Sequence, residues 1–279
     1  QSPDGDAPPT DQLREDLHII ARRWSIIRMY GTRNAERVCQ IIREDKLPLR
    51  FMAGAWLGTE LDDATTAANL AEVEAAIAIA NAYPDVVFAL NIGNETQVYW
   101  SGHRLDRQAL LAYLRKARAE TTVPVTTCDD FAFWRTPESE PVADACDFIG
   151  LHAYAMWNSQ TLTDALAWTR EQIDAVRVAH PGKPLIHSET GWATTVHTEG
   201  EQARLIKGAA GEREQELFYR AFRAWATEAK LPHFYFQAFD EPWKGGGHPD
   251  EVEKHWGLYN ADRTPKPATT DPRLLYPPA

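Results

Sequence analysis

A chain of 279 residues with 44% hydrophobic content can bury one sizeable core, and its length suits a single barrel or α/β unit. The net charge of −11 argues against nucleic acid or an anionic membrane surface as partner, and no apolar run approaches the ~18 residues of a membrane span. The three cysteines, Cys39, Cys128 and Cys146, have no metal-like spacing and make no disulfide framework, so they read as small core residues.

In chain order, the opening QSPDGDAPPT is a loop, and a helix follows from about Asp11 with Leu13, Leu17, Ile20 and Ala21 on one face. SIIRMY (25–30) is a strand ending at Gly31, 35–46 a helix, LRFMAGAW (49–56) a strand and 65–82 an Ala-rich helix. VVFALNIGNET (86–96) then runs through five apolar residues and delivers Asn94 and Glu95 where a strand buried on both faces should emerge. Beyond it lie a helix at 106–119, a strand at 123–127, a helical turn near 138–145, a strand at 147–154 and a helix at 161–179. A strand at 184–187, a helix at about 211–229, a strand at 233–239 and a Pro-rich tail close the chain.

Seven strands alternating with helices indicate βαβ units and a parallel sheet. An open doubly wound sheet usually carries a Gly-rich phosphate turn, which is absent. A (β/α)8 TIM barrel needs an eighth strand, which would precede the first helix. The expectation is therefore an α/β fold of (β/α)8 type whose first strand is missing from this chain, as one catalytic domain over 1–279 with a Pro-rich tail at 265–279.

Barrel chemistry sits at the C-terminal ends of the strands. Those ends carry Arg28 and Tyr30; Trp56; Asn94, Glu95 and Trp100; Asp129, Asp130 and Trp134; His152, Tyr154 and Trp157; Glu189 and Trp192; and Asp240, Glu241, Trp243 and Lys244. One tryptophan after a strand is ordinarily packing, but one after each of six strands suggests sugar rings, whose C–H faces stack on indoles; Trp134, Trp157 and Trp243 are thus candidate substrate contacts. Glu95 and Glu189, each closing a short apolar strand, form a carboxylate pair of the kind that cleaves glycosidic bonds, with retention when about 5–5.5 Å apart. No pair of histidines shows ligand spacing, and Gly245–Gly247 lacks the context of a phosphate cradle, so neither metal nor cofactor is expected.

The motifs GNE (93–95), SETGW (188–192), FDEPWK (239–244) and KHWGLY (254–259), with RMY (28–30), resemble glycoside hydrolase family 17, the β-1,3-glucan-active (β/α)8 enzymes. The resemblance implies that Glu95 is the general acid/base and Glu189 the nucleophile. It also implies that Asn94 bonds the sugar 2-hydroxyl, that Tyr30, Tyr154, Glu241 and Lys244 line the pocket, and that Trp192 lies near the nucleophile. The alternative for Glu241–Lys244 is an ion pair bracing the rim. EPWK in place of the plant members' ENWK, and a compact stretch after Trp157, make the chain resemble bacterial members. In those the fold often serves as a glucanosyltransferase and can be joined to membrane-embedded segments, so the tail reads as a linker and the location as periplasmic or otherwise extracytoplasmic. The leading expectation is a retaining β-glucan transglycosylase acting on β-glucan oligosaccharide or polysaccharide. An endo-β-1,3-glucanase that uses water, a non-catalytic sugar-binding barrel and a metal-dependent barrel hydrolase stand as alternatives.

Overall fold

The computed structural model describes residues 8–270. Most of the opening loop and the end of the Pro-rich tail lie outside the described residues. Six strands form one sheet in sequential order: β1 (Ile26–Arg28), β2 (Arg50–Ala55), β3 (Val87–Asn94), β4 (Val125–Asp130), β5 (Ile149–His152) and β6 (Leu185–Glu189). The ladders from β1 to β5 are parallel, with Ile27 opposite Phe51, Ala53 opposite Leu90, Leu90 opposite Val125 and Cys128 opposite Gly150. The bonds Ile149 N–H to the Pro184 carbonyl and Ala153 N–H to the Glu189 carbonyl run in the same sense, so β6 joins parallel to β5.

The helices are α1 (Thr10–Ala21), α2 (Ala35–Glu44), α3 (Asp63–Ala82), α4 (Arg107–Glu120), α5 (Phe131–Trp134), α6 (Glu140–Ala145), α7 (Leu162–Ala179), α8 (Gly200–Leu205) and α9 (Glu212–Glu228). Their starts follow from side chains that satisfy orphan amides. Asp62 accepts from the Thr65 amide while the Thr65 hydroxyl lies within reach of the Asp62 amide, a reciprocal cap for α3. Asp106 caps α4 by accepting from the amides of Gln108 and Ala109.

The chain divides into two compact groups. The first, 13–152 with 174–188, holds β1 to β5, the body of β6 and the helices between them; Phe51, Met52, Leu90 and Trp134 are wholly buried in it. The three cysteines are buried and free. In the second, 153–173 with 189–270 and the first turn of α1, Trp192, Phe218, Phe222 and Trp256 form the core. Buried Gln215 binds that core together, its side-chain amide donating to the carbonyls of Trp192 (2.9 Å) and Gly257 (3.1 Å).

Two expectations change. Residues 233–239 are not a regular strand. Phe236 donates to the Thr190 carbonyl, Leu258 to Gln237 and Tyr259 to Ala238, so the backbone bonds are split between two neighbours and leave isolated bridges, one of them from Phe239 to Tyr259, in place of a ladder. β4 extends to Asp130 because Thr126, Thr127, Asp129 and Asp130 are buried despite being polar, which ends the apolar run before the strand ends. The short helices α5 and α8 were not foreseen.

At Gly54 in β2 the neighbouring backbone comes close: a Cβ there would stand 2.3 Å from the carbonyl oxygen of Met29, the residue after β1. Gly54→Ala should therefore lower stability in chemical denaturation by about 1–3 kcal/mol. Gly58→Ala, where a Cβ meets nothing within 4 Å, should stay within about 0.5 kcal/mol of the parent.

Candidate active site

At the end of β3 the backbone turns through the left-handed region at Gly93 (φ 80°) and again at Glu95 (φ 48°). Glycine adopts this region freely, whereas a glutamate there costs energy and is held by its surroundings. The hold is visible: the Glu95 amide donates to the Cys128 carbonyl at 2.8 Å. The Glu95 carboxylate lies 2.9 Å from Nδ1 of His152, which is wholly buried at the end of β5. With 27% of its side chain exposed, Glu95 is tethered at one oxygen and still open to solvent.

Asn94, nearly buried, accepts a hydrogen bond on Oδ1 from the Arg28 guanidinium. Arg28 also donates to the Ser188 carbonyl (3.3 Å) and lies 4.6 Å over the Tyr30 ring. Because Arg28 takes the amide oxygen, the side-chain nitrogen is the donor Asn94 offers. Asp129 is an interior group: its carboxyl accepts from the amides of Gln97 and Asp130, both at 2.9 Å. Burial pushes its pKa up to about 7, helped by the charge of Glu95 and opposed by those two amides and His152. Asp130 caps α5 through the Ala132 amide.

In the second group, Glu189 is the last residue of β6, nearly buried, and accepts from the Tyr154 hydroxyl at 2.8 Å. The Tyr154 ring packs edge-on against Trp256 (5.3 Å) and Phe236 (5.9 Å), which fixes the phenol. Lys244 pairs with Glu241 at 2.6 Å, lies 4.5 Å over Phe236 and reaches Gln237 Oε1 at 3.3 Å. Glu95 and Glu189 thus each have a side-chain partner, the His152 imidazole and the Tyr154 hydroxyl.

The tryptophans separate by burial. Trp134 is wholly covered, its indole N–H shared between the carbonyls of Asp129 (3.1 Å) and Gly150 (2.9 Å), so it presents no face to a ligand. Trp192 is equally buried, bonded to the Ala209 carbonyl at 3.0 Å and packed on Phe218; it belongs to the core. Trp157 and Trp243 are half-buried, and Trp56 and Trp100 are exposed. Sequence reasoning missed Phe236 and Trp256 as the seat of Tyr154. Trp256 stands in the KHWGLY motif, which was the one available signal.

Asp129 makes stability depend on pH. Its folded pKa lies above the ~3.9 of an unfolded aspartate, so its contribution is complete below about pH 4 and is lost as pH rises through 7. The three-unit gap corresponds to about 4 kcal/mol. Urea unfolding across that range should show stability falling in the parent and a much flatter profile in Asp129→Asn, whatever the absolute level of the variant.

Residues 1–257 match the family model described as the BtgE/BtgC glycoside hydrolase domain. The chain is 26% identical over 284 residues to a glucan 1,3-beta-glucosidase of Arthroderma benhamiae, covering 95% of this chain and 86% of that protein. It is 28% identical over 295 residues to the glucan endo-1,3-beta-glucosidase btgC of Emericella nidulans, covering 98% of this chain but only 44% of that longer protein. Among solved structures it superposes on an endo-laminarinase from Formosa Hel1_33_131 with TM-score 0.80, 25% identity and coverage of 91% and 79% of the two chains. On the glycoside hydrolase family 17 β-1,3-glucanosyltransferase from Rhizomucor miehei the TM-score is 0.76, at 24% identity and coverage of 94% and 92%. These superpositions and the parallel sheet give the fold as α/β of the (β/α)8 barrel type. The two sequence relatives are fungal and lend no support to the expected kinship with bacterial members. The chain belongs to the BtgE/BtgC glycoside hydrolase domain family.

Proposed function

We propose that this chain is a single catalytic domain that cleaves β-1,3-glucan with retention, Glu189 acting as nucleophile and Glu95 as general acid/base. The observation that carries the reading is that two carboxylates stand at the C-terminal ends of β3 and β6 in one parallel sheet, Glu95 bonded to His152 and Glu189 to Tyr154. The names of the relatives, glucan 1,3-beta-glucosidase and glucan endo-1,3-beta-glucosidase, support the substrate class.

In the first step Glu95 donates its proton to the glycosidic oxygen while a Glu189 oxygen attacks the anomeric carbon. The C–O bond to the leaving chain breaks and a glucosyl ester of Glu189 forms. Glu95, now ionised, then takes a proton from an incoming hydroxyl whose oxygen displaces Glu189, restoring both groups. The Tyr154 hydroxyl holds one Glu189 oxygen and so orients the other. The amide nitrogen of Asn94 donates to the 2-hydroxyl, and Tyr30, Tyr154, Glu241 and Lys244, with the half-buried Trp157 and Trp243, contact the sugar. If the incoming hydroxyl belongs to a sugar the enzyme is a transglycosylase, the reading we favour given the glucanosyltransferase superposition; if it belongs to water, an endo-glucanase. No step requires a metal or organic cofactor. We place the activity outside the cytoplasm, where β-glucan is encountered. None of the helices of the described residues is long and apolar enough to cross a membrane. A tail at 265–279 leading to a membrane-embedded segment, with the periplasm as the compartment, is the finer form of this reading.

Glu189→Ala should abolish turnover, and azide added to that variant with an activated glucoside should give the inverted glucosyl azide, seen by mass spectrometry. Glu95→Gln should lose about 10²–10⁴-fold on natural leaving groups. Products longer than a supplied β-1,3-glucan oligosaccharide mark transfer, and shorter ones alone mark hydrolysis. Binding without turnover by the unmodified protein would overturn the proposal in favour of a sugar-binding barrel.

A further inference from the structure

Trp56, directly after β2, is 43% exposed, which is unusual for so large an apolar side chain and is not explained by its packing. It is nevertheless held firmly. Its backbone amide donates to Glu72 at 3.2 Å, and the same carboxylate accepts from the Thr32 amide (2.7 Å) and hydroxyl (2.5 Å). One side of the indole lies against the His103 imidazole, with ring centroids 4.3 Å apart and planes tilted by 37°. An aromatic side chain that is both exposed and immobilised has little entropy left to lose when a ligand stacks on it.

His103 connects this surface to the end of β3. It sits in a loop closed by the Leu105 amide donating to the Thr96 carbonyl (3.1 Å) and braced by the Gln97 side chain donating to the Leu105 carbonyl (3.1 Å). Its Nε2 lies 2.7 Å from the backbone carbonyl of Asn94. A carbonyl only accepts, so Nε2 carries the proton, and Nδ1 takes the Ser101 hydroxyl at 3.2 Å. One imidazole therefore supports the Trp56 indole with its ring and the peptide joining Asn94 to Glu95 with its N–H.

We propose that Trp56 is a stacking platform for a pyranose ring of the glucan, and that His103 is a positioning residue that seats both this platform and the Asn94–Glu95 peptide. The proposal rests on the reading of Glu95 as acid/base. It separates two effects: the platform acts on binding of longer chains, and the Nε2–carbonyl bond acts on the rate of the bound complex.

The test uses the full chain with a short and a long β-1,3-linked glucose oligosaccharide, and follows kcat and KM for each together with thermal unfolding. Trp56→Ala should raise KM for the long oligosaccharide about 2- to 10-fold and leave kcat and the short substrate near parent values. His103→Phe keeps a ring against the indole but loses the donor, and should lower kcat about 2- to 10-fold on both substrates with KM little changed. His103→Gln restores a donor without the ring, and should recover kcat while raising KM for the long chain. Unchanged KM in Trp56→Ala with an active parent overturns the platform. Equal losses of kcat in His103→Phe and His103→Gln, tracking their loss of thermal stability, overturn the positioning role. An unmodified protein that turns over neither oligosaccharide overturns the underlying glucanase reading instead, an outcome that the parent control distinguishes.

Discussion

A parallel sheet whose strands are buried along their length leaves charge only one place to stand, the strand ends. β3 shows the constraint directly: Ala89, Leu90, Asn91 and Ile92 are wholly buried, and only after Asn94 does a partly exposed carboxylate appear. The left-handed turn at Gly93 and Glu95 is how the chain leaves the sheet quickly enough to put that carboxylate at the edge and not inside. β6 ends the same way, on a nearly buried Glu189 that needs the Tyr154 hydroxyl as partner.

Environment then sorts carboxylates that look alike in sequence. Glu95 just past β3 and Asp129 within the adjacent β4 stand at neighbouring strand ends, yet Glu95 keeps contact with solvent and one imidazole, whereas Asp129 is fully enclosed with two backbone amides. Those amides do not offset the loss of water, and Asp129 holds its proton to about pH 7. It serves to fix the turn that carries Gln97, not to meet a ligand. The same sorting applies to Asp240, which burial pushes up in pKa despite the buried Lys266 at 2.8 Å and the Gly257 amide; that pair ties 240 to the chain at 257 and 266.

The aromatic residues divide by burial, and the polar atom does not decide it alone: Trp256 is buried although its indole N–H finds no partner among the described residues. An indole whose N–H reaches a backbone carbonyl can be buried without penalty, as for Trp134 and Trp192, and becomes core. Trp56 and Trp100 remain at the surface, Trp56 against His103 and Trp100 edge-on to Tyr99. Spacing along the chain cannot distinguish these fates, because all of them follow a strand by a few residues.

Much of the architecture was legible in the linear pattern. Short apolar runs alternating with amphipathic segments gave six of the strands and the long helices nearly at their observed limits, because burial on both faces and helix capping are local properties of composition. A polar residue closing an apolar run marked Glu95 and Glu189 as strand-end carboxylates without a structure, while the family came from the resemblance of the motifs around them. Partners distant in sequence were not legible. That His152 meets Glu95 across 57 positions, that Trp256 and Phe236 seat Tyr154, and that Trp134 turns inward depend on which strand ends neighbour one another. Residues 233–239 have the composition of a strand, but their backbone bonds are divided between Thr190 and the 256–259 segment, a competition that exists only once the chain is folded.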